Sequence, residues 1–525
     1  MADLPDSSLT AICGRTELGA LRRGIEKESL RVTPAGILAR SRHPVELGSA
    51  LTHPHITMDF SEAQLELITG VHPSAEAALA ELADVHRFVY TNLGDELLWA
   101  ASMPCMIGRD DNIPVAQFGT SNAGKSKTVY RNGLSHRYGR LMQTISGIHY
   151  NFSVPNSLWR TIAASRNQTP NRDFVTDAYF GLIRNFRRYS WLLVYLFGAS
   201  PAVCKSFIRD TESGLAQFDE GSLYLPYATS LRMGRLGYQS DAQSSLHISY
   251  NSLAEYADTM FGALTEPYPP YEAVGVELDG GHRQLSTSLL QIENEFYGAI
   301  RPKRRTRSGE RPLEALYGRG VEYVEVRCLD LNPFLSLGID ADICRFLDVF
   351  LLLCLLMDSP PDSRAESERM VANQLVVVER GRERRLELID GGIGVPLVDW
   401  AGRLIDQCVR VAEQIDAVTG VANHAEAVDL QRRKVAEPAL TPSARVLNAL
   451  RQQRVPFFRF AMNQSAAHRG YFEERPLSPE RHKEFTAMSE ASLTRQARME
   501  AGDRQTFEAY LRRFLELDIP RPVPH

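Results

Sequence analysis

Gly24-Ile25-Glu26-Lys27-Glu28-Ser29-Leu30-Arg31-Val32 alternates with a period of two. Read as a β-strand, it puts Glu26 and Glu28 on one face. Adjacent carboxylates repel, and burying either alone would cost several kcal/mol or force it to protonate. The pair therefore asks for a cation or a basic partner, although a solvated edge strand would show the same pattern.

Further acids stand on similar segments. Asp59 and Glu66 lie in Thr57-Met58-Asp59-Phe60-Ser61-Glu62-Ala63-Gln64-Leu65-Glu66-Leu67-Ile68. Their odd separation would send them to opposite faces of one straight strand. A two- or four-residue hairpin loop around Ser61 to Gln64 brings them to the same face, with Leu65 and Leu67 packed behind. In Gly147 to Ser153, Ile148, Tyr150 and Phe152 share one face, and His149 shares the other with Asn151. A lone strand histidine is more often structural than a metal ligand, so His149 only supports a site found otherwise. Val321 to Cys328 groups Tyr323, Glu325 and Arg327. A metal carboxylate beside an arginine suits a polyphosphate: Mg²⁺ takes hard oxygen ligands, and a guanidinium neutralises the group in transfer. A simple cross-strand ion pair would look alike. Together the pieces read as a multi-magnesium ATP site.

The frame around them is an ordinary globular protein. With 525 residues, 44% hydrophobic and 23% charged, the chain is long enough for one large or two to three ordinary domains. A net charge of −5 gives no global field favouring nucleic acid or anionic membrane. Seven scattered cysteines without a Cys-x-x-Cys pair disfavour zinc and a disulfide framework. The acidic N-terminus lacks a secretion signal, so the cytoplasm is expected. The apolar runs Trp191–Phe197 and Phe346–Met357 are too short to span a membrane and are expected to be buried core.

Strands are expected over 56–69, 145–153 and 320–331. Helices are expected over 76–93, 173–197 and 340–357, and after residue 360 around 398–418, 442–454 and 478–517. Ser359-Pro360-Pro361-Asp362-Ser363 breaks the pattern, which suggests a catalytic region 1–360 and a helix-rich region 361–525 packed on it. Strands without strict βαβ alternation favour an α+β fold with a mostly antiparallel sheet.

Two segments offer competing sites. Gly119-Thr120-Ser121-Asn122-Ala123-Gly124-Lys125-Ser126 satisfies the P-loop pattern. Against that use stand the missing downstream strand ending in Asp and the missing βαβ repetition. Ile300-Arg301-Pro302-Lys303-Arg304-Arg305-Thr306-Arg307 could clamp phosphates, bind RNA or be a solvated loop, with RNA ranked last for want of interleaved aromatics.

Eight ordered motifs resemble the glutamate–cysteine ligases of the proteobacterial type: RGIEKESLRV (23–32), HPHITMDFSEAQLELIT (53–69), QFGTSNAGKSKTVYRNGLSHRYG (117–139), LMQTISGIHYNFS (141–153), YLFGASPAVC (195–204), LPYATSLRMGRLGY (225–238), QIENEFYGAIRPKR (291–304) and GVEYVEVRCLDLNPF (320–334). The resemblance implies a glutamine synthetase-like fold whose antiparallel sheet forms an active-site funnel. It also implies a reaction, the first step of glutathione biosynthesis: ATP, L-glutamate and L-cysteine give γ-glutamylcysteine, ADP and phosphate through a γ-glutamyl phosphate.

By position, the resemblance implies metal ligation by Glu26, Glu28, Asp59, Glu66, His149 and Glu325. The ions implied are two or three Mg²⁺, with Mn²⁺ as a substitute. Tyr130, Leu134, Gln143, Arg232, Tyr238 and Tyr297 fall on the amino-acid pocket. Arg327, Arg301 and Lys303 fall to the nucleotide, with Arg327 and Arg232 in catalysis. Glutathione feedback, a monomer, and no nucleic-acid or membrane partner complete what it implies. The segment after about 360 matches the family loosely. Some relatives carry a cysteine about 60 residues beyond the position of Cys105; here Thr161-Ile162-Ala163-Ala164 fills that stretch, so no such disulfide is expected. Two alternatives stay open: a ligase of the same fold using another amine, and a non-catalytic nucleotide- or RNA-binding protein using Arg301 to Arg307.

Overall fold

A computed structural model describes residues 3–519 apart from 209–213, 238–240, 245, 279 and 308. Its centre is a seven-stranded, wholly antiparallel sheet. We label the strands β1 (Arg22–Val32), β2 (Ile56–Met58), β3 (Gln64–Ile68), β4 (Leu97–Leu98), β5 (Ile148–Ser153), β6 (Ile300–Lys303) and β7 (Tyr323–Leu329). The order is β6-β7-β5-β1-β3-β2, with β4 paired to the far end of β1. This is the mixed helix and antiparallel-sheet class expected from the alternating segments.

Register fixes which side chains share a face. Glu26 lies opposite His149 on β5 and Ile68 on β3, and Glu28 lies opposite Glu66. Thr57 pairs with Glu66 across the β2–β3 hairpin, so Asp59, two residues on, shares the Glu66 face, as the expected turn requires. On β7, Glu325 lies opposite Asn151 of β5 and Arg301 of β6. A register shift after Val326 lets β7 bend beside Arg327.

The opposite face of the sheet is apolar and covered by helices Ala75–Asn92, Arg172–Tyr189 and Ala341–Leu356. The last carries the expected core run, with Phe346 to Leu356 wholly buried. Its Asp348 is paired from the sheet side by Arg23 at 2.9 Å and by the Tyr150 hydroxyl at 2.8 Å, which compensates the buried charge. Lys27 also points to this side. Its Nζ lies 2.8 Å from His86 Nε2; His86 Nδ1 lies 2.7 Å from the Leu82 carbonyl, so the imidazole carries its proton there and accepts from Lys27.

The expected helix over 173–197 is two helices, Arg172–Tyr189 and Trp191–Phe197, with Ser190 between them. The expected 478–517 stretch is likewise Pro479–Gly502 and Phe507–Leu515. Beyond 360, helices Arg364–Arg380, Leu397–Thr419, Asn423–Ala436, Pro442–Gln453 and Phe457–Glu473 also form, and Arg187 reaches Asp362 across the junction at 2.6 Å. Among the described residues no helix is long and apolar enough to cross a membrane.

One expectation is overturned. Cys105 and Cys204 form a disulfide, with Cα atoms 5.4 Å apart and a separation of 99 positions in sequence. The partner comes not from the Thr161 stretch but from the short strand Ala202–Cys204, which shares a second hydrophobic core with Trp99 to Ile107. Chain separation carries no information about this contact; only the packing of the core brings the two thiols together.

Candidate active site

The acid-bearing face gathers the residues the alternating segments picked out. Glu26, His149 and Glu325 each offer a ligand atom, and these atoms lie within 4.8 Å of one another. His149 Nδ1 stands 3.3 Å from Glu26 Oε2 and 3.6 Å from Glu325 Oε1, and its Nε2 stands 3.6 Å from Glu28 Oε1. The buried His149 Nε2 and Glu325 Oε2 make no hydrogen bond. Two carboxylates and an imidazole offering ligand atoms at this spacing fit a divalent cation.

Electrostatics point the same way. Burial pushes the Glu66 carboxyl well above the carboxylate range, and the charges of Glu26, Asp59 and Glu28 push it further. Glu28 is also raised, chiefly by burial. Glu325 goes the other way: burial would raise it, but Lys303, Arg327 and His149 outweigh that and hold it well below the usual range. Burial likewise acts against Glu26, and the hydrogen bond from His149 prevails, leaving it lowered. Glu66 and Glu28 are thus the acids that burial holds toward the protonated form, and a bound cation would favour their ionised form.

Beside the acids opens a cleft of about 80 Å³, lined by Glu28, Asp59, Tyr130, Leu134, Gln143, Tyr297 and Arg327. Most of the pocket residues assigned by resemblance are thus in one place. Tyr130 and Leu134 come from helix Asn122–Tyr138, Gln143 from the following turn, and Tyr297 from the segment before β6. The Gln143 amide donates to the Tyr297 hydroxyl at 2.8 Å.

Arg327 Nη1 lies 3.2 Å from Glu325 Oε1 and 3.4 Å from His149 Nδ1, and Lys303 Nζ lies 3.4 Å from Glu325 Oε2. Arg232 is fully buried behind the cleft. It donates to the Arg327 carbonyl at 3.0 Å and stands 3.8 Å from Asp330. Its guanidinium lies against Gly147, where any Cβ would overlap it. Arg301 donates to the carbonyls of Asn294, at 2.8 Å, and Phe296. Those bonds tie one end of its guanidinium to the loop, while its charge helps lower Glu325 across the sheet. Tyr238 lies outside the described residues.

Three site residues escaped the sequence. Asn151 donates to Glu26 Oε1 at 2.8 Å; its place on the polar face of β5 was a usable signal. Arg131 and Asn294 line the cleft, and Arg131 bonds the backbone carbonyls of Asp59 and Met58. Nothing in local spacing marks either.

The P-loop look-alike is no phosphate cradle. Ser121 caps helix Asn122–Tyr138 by accepting from Gly124. The Thr120 amide donates to Glu500 at 2.8 Å and the Asn122 amide to Asp503 at 2.5 Å. Carboxylates of the chain's own C-terminal part occupy the amides a phosphate would need.

A family model described as glutamate-cysteine ligase matches residues 8–377. A glutamate–cysteine ligase of Alcanivorax borkumensis is 50% identical over 500 residues, covering 94% of this chain and 95% of that protein. One of Pseudomonas putida is 50% identical over 489 residues, covering 93% of each. Among solved structures, glutamate–cysteine ligase of Francisella tularensis in complex with AMP superposes with a TM-score of 0.89 at 38% identity, over 94% of this chain and 97% of that one. A bifunctional glutathione synthetase from Pasteurella multocida gives 0.67 at 25% identity, over 89% of this chain and 53% of that one. With the family model spanning most of the chain and relatives matching nearly end to end, the chain belongs to the glutamate–cysteine ligase family.

Proposed function

We propose that this protein joins the γ-carboxylate of L-glutamate to the amine of L-cysteine at the expense of ATP, on the acid-bearing face of a sheet like the funnel of glutamine synthetase. The observation that carries this is the convergence of Glu26, His149 and Glu325 beside Arg327 and a small cleft walled by Tyr130, Gln143 and Tyr297. A carboxylate is a poor electrophile, so the γ-carboxylate is first phosphorylated; the amine then displaces phosphate from the γ-glutamyl phosphate. Mg²⁺, as two or three ions held by Glu26, Glu28, Asp59, Glu66, His149 and Glu325, would spread charge off the phosphoryl oxygens.

The chain's own residues supply the rest. Arg327 and Lys303 neutralise the phosphoryl group in transfer. Arg232 acts from behind the cleft on the carbonyl of Arg327 and, as the resemblance implies, toward a substrate carboxylate. Tyr130, Leu134, Gln143 and Tyr297 hold the amine in line with the acyl phosphate, converting an encounter into an oriented collision.

The same reading makes residues 1–360 the catalytic region with 361–525 packed on it. It describes a cytoplasmic monomer and makes glutathione, which contains the product's γ-glutamylcysteine unit, a feedback inhibitor. The test is phosphate release by purified protein with ATP and Mg²⁺, adding glutamate alone, cysteine alone, then both. Release with both only, and a dipeptide by mass spectrometry, is expected. Release independent of the amine overturns the proposal.

A further inference from the structure

The cleft wall assigned to the amine is tied from behind by a carboxylate that does not touch it. Glu295 is 1% exposed and ends the short turn Glu293–Glu295. Its Oε1 accepts from Arg137 Nη1 at 2.9 Å and from the Tyr138 hydroxyl at 2.8 Å. Its Oε2 accepts from the Gln291 amide at 2.7 Å and from Gln291 Nε2 at 3.1 Å. All four bonds anchor the structure of the wall. Arg137 and Tyr138 are the last turn of the helix that carries Tyr130 and Leu134. Gln291 Nε2 also reaches the Tyr130 carbonyl at 3.3 Å, in space left by Gly133.

The backbone of the same residue holds the other side. Gln243 Nε2 donates to the Glu295 carbonyl at 2.9 Å and to the Tyr138 hydroxyl at 3.0 Å, while its Oε1 accepts from the Tyr297 amide at 3.1 Å. Tyr297 in turn receives the Gln143 amide and meets Tyr138 edge-on, ring centres 5.7 Å apart. Arg137 also donates to Gln284 Oε1 at 3.0 Å, to Leu289 O at 3.2 Å and to Ser286 O at 2.7 Å. A buried, densely bonded network of this kind is rigid, because any displacement strands a charge away from water.

We propose that Glu295 is a positioning residue that fixes the distance between the Tyr130 and Tyr297 walls, and through it the size of amino acid whose amine the cleft accepts. This rests on the proposed assignment of the cleft to cysteine. A carboxylate bridging both walls selects a short side chain by holding the walls at one spacing, and freeing them admits longer amines while binding cysteine less well.

The test is steady-state kinetics of full-length wild type, Glu295→Gln and Tyr138→Phe. Each is assayed with cysteine, with 2-aminobutyrate and with a longer amine such as norleucine, and circular dichroism checks the fold. In Glu295→Gln, kcat/KM for cysteine is expected to fall about 10- to 100-fold through the KM for the amine. The KM values for ATP and glutamate should stay within about twofold, and the preference for cysteine over norleucine should shrink. Tyr138→Phe removes one of the four bonds and should shift the same ratio less; it decides the matter if Glu295→Gln does not fold. A folded variant with unchanged amine preference, or with all three KM values raised together, overturns the positioning role. Wild type that makes no dipeptide from any amine overturns instead the assignment of the cleft.

Discussion

The acid-bearing sheet face and the glycine-rich loop at Gly119 to Ser126 both carry the residue types of a nucleotide site, and they differ in what their polar groups already hold. On the sheet, Glu66 and Glu28 are pushed up, chiefly by burial, and His149 Nε2 has no hydrogen-bond partner. At the loop, the amides of Thr120 and Asn122 are taken by Glu500 and Asp503, and exposed Lys125 faces solvent. A contiguous motif thus signals less than five dispersed acids, because chemistry depends on unsatisfied groups converging in space.

The sharpest way to break this contrast is Glu325→Ala. It removes the acid shared by His149, Arg327 and Lys303, so turnover should drop on the order of 100-fold or more with the fold retained. Near-normal rates would take Glu325 out of the site. Next comes Gly147→Ala, whose Cβ would displace the Arg232 guanidinium. A loss of about 10- to 100-fold in kcat/KM is expected, and wild-type kinetics would mean that Arg232 has no part in the reaction.

Smaller effects belong to the scaffold. Replacing Cys105 and Cys204 by serine frees a loop of 99 residues. It should lower unfolding stability by about 2–4 kcal/mol, read by denaturant titration, with kcat changed little. Burial holds His43, His53 and His468 down at about 4, and His86 well below 6.5. Native imidazoles stay neutral while unfolded ones charge near 6.5, so the unfolded state binds more protons. The stability these groups contribute is complete above 6.5 and is lost as pH falls from 6.5 toward 4, at about 1.4 kcal/mol per pH unit for each histidine. A flat profile over that window would contradict their burial as neutral groups. The smallest change is expected from Lys125→Ala, with the KM for ATP within about twofold of wild type.

Much of the site was legible because strand alternation is a local rule. Glu26 with Glu28, His149, and Glu325 with Arg327 each follow from a period of two, and the odd spacing of Asp59 and Glu66 required the turn that the hairpin supplies. What the alternation could not carry is contact between distant segments. The Cys105–Cys204 bridge joins two pieces of a second core. Arg301, grouped with the nucleotide by the resemblance, also donates to the carbonyls of Asn294 and Phe296, contacts that no strand period foretells. Glu295 lies in an acidic, aromatic stretch with no periodic signal, and its place at the hub of the cleft wall emerges only when helix and loop are packed together.

The most direct measurement is phosphate release with ATP, Mg²⁺, glutamate and cysteine by wild type, Glu325→Ala and Lys125→Ala side by side. Loss of release and of dipeptide in Glu325→Ala, with Lys125→Ala matching wild type, is the predicted result. Full activity in Glu325→Ala with loss in Lys125→Ala would move ATP to the glycine-rich loop and contradict the account.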